Sequence, residues 1–216
     1  MSRNSNSGGV IAIIITIIVT GGVIFLALSN NTNANPGGSS SAAANPADHH
    51  GGTSSGPISD LNTLIGKPAP DFTLSDHGGQ SYALKDLRGK TVVLFFNEGL
   101  MCYPACWNQI AALGDDQRFS GDDVIALSIV TDNPGEWDKA IRQMPELAKA
   151  TIVHDTNSKV SRSYGVLTTA SSMHYGQFPG HSYVVIDKDG VVRHVYDDPN
   201  MAIHNDQLIE EITKLS

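Results

Sequence analysis

Two cysteines, Cys102 and Cys106, are the residues of this 216-residue chain best suited to chemistry, and the chain contains no others. They lie in the stretch NEGLMCYPACWNQI, residues 97–110, with three residues between them. Two thiols at this spacing can ligate a soft metal ion, form a redox-active disulfide, or pack as small apolar side chains. The spacing alone leaves all three roles open.

The elements on either side of the cysteines favour a reactive role. TVVLFF, residues 91–96, has the pattern of a buried strand that ends just before them. Pro104 suits the first turn of a helix predicted over about residues 104–113, because its missing N–H would lack a partner there. Cys102 then lies just outside the helix and Cys106 within its first turn, where the helix dipole stabilises a thiolate. We therefore expect a reversible Cys102–Cys106 disulfide.

Hydrophobic patterns elsewhere predict the elements that must position this segment. Strands are predicted in SYAL (81–84), DDVIALSIVT (122–131), ATIVHD (150–155) and the hairpin HSYVVIDKDGVVRHVY (181–196). Helices are predicted after an Asn133 cap, in NSKVSRSYG before Gly165, and in NDQLIEEITKL with Asn205 as the cap. The alternation indicates an α/β fold with a mixed central sheet flanked by helices.

The N-terminal part has a different composition. Residues 10–28, VIAIIITIIVTGGVIFLAL, carry no charge and at 1.5 Å per residue just cross a ~30 Å hydrocarbon core. A cleaved signal peptide is the alternative, but its apolar region is usually only ~7–15 residues long. Arg3 precedes the run and the next basic residue is Lys67. This asymmetry predicts a single-pass membrane protein with a short cytoplasmic segment at 1–9 and the rest of the chain outside.

The remaining organisation follows from composition and charge. Residues 29–57 consist mostly of Asn, Gly, Ser, Ala, Thr and Pro, which predicts a disordered linker. Residues 58–216 are long enough for one domain with its own core. The net charge of −8 argues against nucleic acid and anionic lipid surfaces as partners.

Two phrases of the sequence are similar to a known family. GKPAPDFTLSDHGGQSYALKDLRGKTVVLFF, residues 66–96, resembles the entry segment of peroxiredoxins and related redoxins of the thioredoxin superfamily, and residues 181–196 resemble the hairpin that closes that fold. The resemblance implies a thioredoxin-like sheet flanked by helices, with the active cysteine at the start of the helix after the central strand. It also implies a disulfide or peroxide substrate, a thiol electron donor and no cofactor.

The loop that holds the cysteines departs from the peroxiredoxin pattern. That family carries Pro-x-x-x-Thr-x-x-Cys and a later Arg, whereas this loop has no matching Pro or Thr, and His181 stands where the Arg would fall. Cys-x-x-x-Cys followed by a His before the hairpin is also similar to Sco-type copper-binding proteins. Cys102, Cys106 and His181 could accordingly bind Cu(I), so copper is the alternative cofactor. A neutral His181 would ligate copper, whereas an imidazolium would stabilise a thiolate.

Three further residues are candidates for supporting roles. Glu98 is expected to be an exposed loop carboxylate, with proton transfer from a thiol as the alternative. Trp107 either belongs to the core or covers the disulfide. Pro179 lies near the position of the proline that packs against the disulfide in thioredoxin-like reductases. The sequence therefore predicts a membrane-tethered, extracytoplasmic thiol-disulfide oxidoreductase that acts through Cys102, Cys106 and His181, with peroxidase activity as a further possibility and a copper chaperone as the alternative.

Overall fold

A computed structural model describes residues 59–215 of the chain. The membrane segment predicted at 10–28 and the linker predicted at 29–57 lie outside these residues. Within residues 59–215, no helix is both long enough and apolar enough to cross a membrane.

In this part of the chain, the strands form one mixed sheet. They are β1 (Thr73–Asp76), β2 (Ser81–Ala83), β3 (Thr91–Phe96), β4 (Val124–Val130), β5 (Ile152–His154), β6 (Ser182–Ile186) and β7 (Val192–Asp197), in the order β2-β1-β5-β4-β3-β6-β7. The β3–β4 and β4–β5 pairs are parallel and the others antiparallel. Phe96 lies opposite Ser182, so the end of β3 and the start of β6 are neighbours. This register brings the cysteine loop beside the segment that carries His181.

The α-helices are α1 (Ala105–Asp115), α2 (Trp137–Gln143), α3 (Lys159–Ser163) and α4 (Asn205–Thr213). Short 3₁₀ turns connect the strands and helices, at Leu61–Leu64, Leu84–Leu87, Gly99–Met101, Gln117–Phe119, Pro134–Glu136, Pro145–Lys149 and Val166–Thr168. The α1 helix starts one residue after Pro104, as the sequence predicts. The first turn of the helix predicted after Asn133 is 3₁₀, and the Asn133 side chain caps it by accepting from the Gly135 N–H.

Both faces of the sheet are covered, because every residue of β3 is buried. Val93 and Phe95 belong to a core that includes side chains of α1, α2 and α4, whereas Val92, Leu94 and Phe96 belong to a second core that includes α3 and the segment before β1. A strand buried on both faces reads as a continuous apolar run. The predicted thioredoxin-like α/β arrangement of a mixed sheet between helices is confirmed.

Two details of the predicted elements are wrong. The strand β1 was not predicted, and none of its residues is buried, so its sequence TLSD lacks an apolar signal. Asn205 does not cap α4: the helix starts at Asn205, and His204 precedes it without a side-chain cap. The Asn205 side chain instead donates to the Ala112 carbonyl of α1. The Asn205 side chain therefore links α4 to α1. A capping pattern, which considers only neighbours in sequence, cannot distinguish this role from that of a cap.

Candidate active site

A tight turn carries the chain from β3 to the cysteines. Asn97 Oδ1 accepts from the Gly99 N–H at 2.9 Å, and Asp132 Oδ2 accepts from the Leu100 N–H at 3.1 Å. Gly99 has φ +61°, and a Cβ at this position would overlap the Asp132 carboxylate. Only glycine combines this backbone conformation with so close an approach. The turn therefore fixes the position of Cys102 relative to β3 and β4.

Cys102 and Cys106 form a disulfide, with their Cα atoms 5.3 Å apart. The Cys106 N–H donates to the Cys102 carbonyl at 3.0 Å across the start of α1. Both residues are buried, with exposed fractions of 3% and 1%. The predicted pairing is confirmed, and so is the placement of Cys102 just outside the helix and Cys106 in its first turn.

His181 meets the disulfide from the opposite side. Its Nδ1 lies 3.6 Å from Cys106 Sγ, and its ring packs edge-on against Phe95 with centroids 4.6 Å apart. The residue is 1% exposed, and burial lowers the pKa of His181 to about 4 although Asp198 and the Ala202 carbonyl oppose this effect. The imidazole beside the disulfide is therefore neutral near pH 7. The expectation that an imidazolium stabilises a thiolate concerns the reduced pair and stays a prediction.

A segment that sequence reasoning missed contacts Cys102. Met201 Sδ lies 3.8 Å from Cys102 Sγ, on a backbone with φ +54°. Asp198 is buried and holds this turn, because its carboxylate accepts from the Asn200 and Ala202 N–H groups at 2.9 and 2.7 Å. The sequence DDPN at residues 197–200 is a turn signal, but nothing in it shows that the turn returns to a cysteine some hundred residues earlier.

Glu98 is the clearest difference from the sequence-based expectation. It is not an exposed loop carboxylate but is 1% exposed. Its Oε1 accepts from the backbone N–H groups of Met173 and His174 at 2.7 and 3.0 Å, and its Oε2 lies 2.8 Å from His174 Nδ1. A buried carboxylate needs such partners. Glu98 therefore anchors the loop before β6 to the cysteine turn.

The other two supporting candidates, Trp107 and Pro179, are both buried. Trp107 is buried beside Cys106, its Nε1 donates to the Gly99 carbonyl at 3.2 Å, and it packs edge-on against Tyr103. It thus belongs to the core and also braces the cysteine turn. Pro179 is buried two residues before His181. The side chains that meet the sulfur atoms are those of His181 and Met201.

The copper alternative finds no metal centre among the described residues. Within residues 59–215, no group of three or more His, Cys, Asp and Glu side chains is arranged to hold a metal ion. Cu(I) binding by Cys102, Cys106 and His181 would need both sulfurs as thiolates. The geometry at the disulfide provides a neutral imidazole, a buried cysteine pair and a helix N-terminus.

Comparison with known proteins identifies the family to which this fold and cysteine position belong. The sequence model of the AhpC/TSA family matches residues 65–195. The chain belongs to the AhpC/TSA family. It is 30% identical over 160 residues to peroxiredoxin Bcp of Escherichia coli K12, an alignment that covers 69% of this chain and 96% of that protein. It is 32% identical over 158 residues to the chloroplastic peroxiredoxin Q of Sedum lineare, covering 69% and 76%.

Solved structures support the fold of this AhpC/TSA protein. Peroxidoxin BcpB of Mycobacterium tuberculosis superposes with a TM-score of 0.58 at 23% identity, covering 71% of this chain and 98% of that one. The mitochondrial 2-Cys peroxiredoxin of Plasmodium falciparum gives 0.58 at 22% identity, covering 70% and 94%. Family membership makes the protein an enzyme of the thiol-dependent oxidoreductase class, and the cysteine pair is its candidate redox centre.

Proposed function

We propose that the protein is a membrane-tethered, extracytoplasmic thiol peroxidase in which Cys102 attacks the peroxide and Cys106 resolves the intermediate. The observation that carries this proposal is the disulfide at the start of α1 with a neutral imidazole nitrogen against Cys106 Sγ. A two-thiol redox cycle requires two cysteines close enough to form a disulfide, and a neighbouring base can take the proton of the thiol that closes it.

The reaction proceeds in two steps. The Cys102 thiolate attacks the terminal oxygen of a hydroperoxide, the O–O bond breaks, and the alkoxide or hydroxide that leaves takes up a proton. Cys102 is then a sulfenic acid. The Cys106 thiolate attacks the Cys102 sulfur, the S–S bond forms, and the sulfenic oxygen leaves as water after protonation. A thiol electron donor subsequently reduces the disulfide to both thiols.

The surroundings of the two cysteines favour this division of roles. Cys102 stands between Met101 and Tyr103, which are 53% and 55% exposed, whereas Cys106 lies in the first turn of α1 with its Sγ 3.6 Å from His181 Nδ1. A small peroxide therefore has the shorter path to Cys102. The N-terminus of an eleven-residue helix supplies the positive potential that favours the Cys102 thiolate.

The surface around the disulfide supports a protein as the electron donor. Within residues 59–215, four of the five exposed large apolar side chains lie on segments that form the site, namely Met101, Tyr103, Met173 and Ile203. Exposed apolar side chains gathered around a reactive group are typical of a surface that binds another protein. A thiol reductant that docks there would reach the sulfur of Cys102 first.

The membrane location is proposed from the sequence. The uncharged run at 10–28 and the single Arg3 before it support a retained span with the catalytic domain outside the cytoplasm. The low-complexity segment at 29–57 would then act as a tether.

Single-cysteine variants test the chemistry. The reduced full chain should consume hydrogen peroxide in a steady state with a thiol reductant, and Cys102→Ser should abolish the reaction. Cys106→Ser should complete one turnover and leave a sulfenic acid on Cys102, trapped by dimedone and located by mass spectrometry. Dimedone labelling of Cys106 in the Cys102→Ser variant would reverse the roles. Absence of peroxide consumption together with rapid reduction of a small disulfide would replace the peroxidase by a disulfide exchange enzyme.

A further inference from the structure

A continuous line of polar side chains runs from α4 to the site histidine. It comprises Asn205, Gln109, Tyr183 and His181, of which the last three are buried. Each contacts the next through a hydrogen bond of 2.9–3.0 Å. Groups that can only donate or only accept contact this line at several points, so the direction of every hydrogen bond can be worked out.

The direction is set first at Asn205. Its Nδ2 lies 2.9 Å from the Ala112 carbonyl and 3.1 Å from Asp116 Oδ2. Both partners accept, so this atom of the amide must be the donating nitrogen. Asn205 Oδ1 consequently faces Gln109 and accepts from its Nε2 at 2.9 Å.

The Gln109 amide has its orientation fixed in the same way. Its Oε1 accepts from the His204 backbone N–H at 2.8 Å, a partner that can only donate. The same oxygen lies 3.0 Å from the Tyr183 hydroxyl, and an amide oxygen cannot donate, so the hydroxyl must. The Ala202 carbonyl, 3.5 Å from the same hydroxyl, is a second acceptor and favours the same orientation.

The tautomer of His181 follows. With its proton directed to Gln109, the Tyr183 oxygen can only accept, and it lies 2.9 Å from His181 Nε2. Nε2 must therefore carry the imidazole proton. Nδ1, 3.6 Å from Cys106 Sγ, is left with its lone pair facing the sulfur.

The geometry points to Gln109 and Tyr183 as positioning residues that hold His181 in the Nε2–H tautomer, so that Nδ1 serves as the base for the Cys106 thiol. The role of Cys106 rests on the proposed function. In the resolving step Nδ1 takes the Cys106 proton, the thiolate forms the S–S bond with the sulfenic sulfur of Cys102, and the S–O bond breaks. The departing hydroxide receives the proton from the imidazolium and leaves as water.

Burial makes the base available at neutral pH. The pKa of His181 beside the disulfide is lowered to about 4 by burial, so the ring carries no proton on Nδ1 before the thiol supplies one. Without Tyr183 the Nε2–H would lose the hydroxyl oxygen that accepts from it at 2.9 Å. The Nδ1–H tautomer, in which Nδ1 cannot accept the Cys106 proton, would then gain population.

The tautomer can be measured directly by long-range ¹H–¹⁵N NMR of the uniformly labelled full chain in detergent, both oxidised and reduced. The His181 signals are assigned from their loss in His181→Gln. We expect an unprotonated Nδ1 and a protonated Nε2 in both redox states, and a shift towards Nδ1–H in Tyr183→Phe. Tyr164→Phe is the matched control. It also removes a buried tyrosine hydroxyl, but that hydroxyl donates to the Pro70 carbonyl on the opposite face of the sheet.

Kinetics provide the second measurement. Resolution is followed by stopped-flow tryptophan fluorescence, since Trp107 adjoins Cys106. Tyr183→Phe should slow it about tenfold, less than the roughly 10²-fold or more that a general base contributes. The attack on peroxide should be unchanged, and Tyr164→Phe should alter neither step.

Protonated Nδ1 in the wild type would overturn the inference, as would a Tyr183→Phe variant with unchanged tautomer and resolution rate. The NMR result does not depend on peroxidase activity. Should the protein reduce no peroxide, closure from a mixed disulfide on Cys102 replaces the sulfenic acid in the kinetic assay. Failure of the proposed function is thus distinguishable from failure of the tautomer assignment.

Discussion

Replacement of Glu98 by glutamine and by alanine should have clearly different consequences, because this carboxylate acts through its oxygens as acceptors. In Glu98→Gln the amide oxygen can still accept from the Met173 and His174 N–H groups, and the amide NH₂ can donate to His174 Nδ1 in its neutral form. The three contacts survive with one direction reversed. We expect a loss of about 1 kcal/mol in the free energy of unfolding, for the weaker neutral hydrogen bonds.

Glu98→Ala removes the acceptor altogether. Two peptide N–H groups lose their partner, and each unsatisfied donor costs about 1–3 kcal/mol, which gives a total of about 2–6 kcal/mol. The loop before β6 would also lose its attachment to the cysteine turn. We therefore expect slower disulfide closure in Glu98→Ala, and a rate close to that of the wild type in Glu98→Gln.

Urea unfolding and the stopped-flow closure rate measure both effects. Glu210→Ala on the exposed face of α4 is the control and should change stability by less than about 0.5 kcal/mol. If Glu98 instead takes a proton from a thiol, glutamine should slow the reaction by roughly 10²-fold or more while leaving stability almost unchanged. That outcome, or equal destabilisation by glutamine and alanine, would refute the anchoring role.

Three further predictions concern the turn, the histidine and the membrane. Gly99→Ala should lower the free energy of unfolding in urea by about 1–3 kcal/mol more than Gly89→Ala does. Both glycines have positive φ, but only at Gly99 would a Cβ overlap Asp132. Equal losses of stability in the two variants would contradict this. His181, with a folded pKa of about 4 against 6.5, contributes stability that is complete above pH 6.5 and is lost as the pH falls towards 4, by up to ~3 kcal/mol. His181→Gln should flatten the pH dependence of unfolding over this range, and an unchanged curve would contradict the assigned pKa. A reporter fused after Ser216 should be active only outside the cytoplasm and remain in the membrane fraction, whereas a soluble fragment starting near residue 30 would indicate a cleaved signal.

The fold was accessible from the sequence because its strongest signals are local. The apolar run at 91–96 has the pattern of a buried strand, and the turn at 188–190 matches the hairpin between β6 and β7. Pro104 predicted the start of α1 to within one residue. These features depend on neighbours a few positions apart, which a pattern can record.

The support of the site was not accessible, because it depends on contacts between distant segments. The burial of Glu98 follows from its contact with a loop about 75 residues later in the chain. Met201 reaches Cys102 from 99 residues away, on a turn held by the buried Asp198. A carboxylate or a thioether carries no local sign of such a partner, and the general preference for exposed charges predicted the wrong environment for Glu98.

The pKa of His181 also implies when this residue would hold a proton during the proposed cycle. Beside the disulfide the pKa is about 4, so at pH 7 only about one molecule in a thousand carries the imidazolium. A Cys106 thiolate 3.6 Å away would favour the cation, because an opposite charge at this distance opposes the cost of burial. The proton therefore stays on His181 only while Cys106 is charged. Formation of the S–S bond removes that charge and restores the low pKa, so the same step that needs a proton for the departing oxygen also releases one from the histidine.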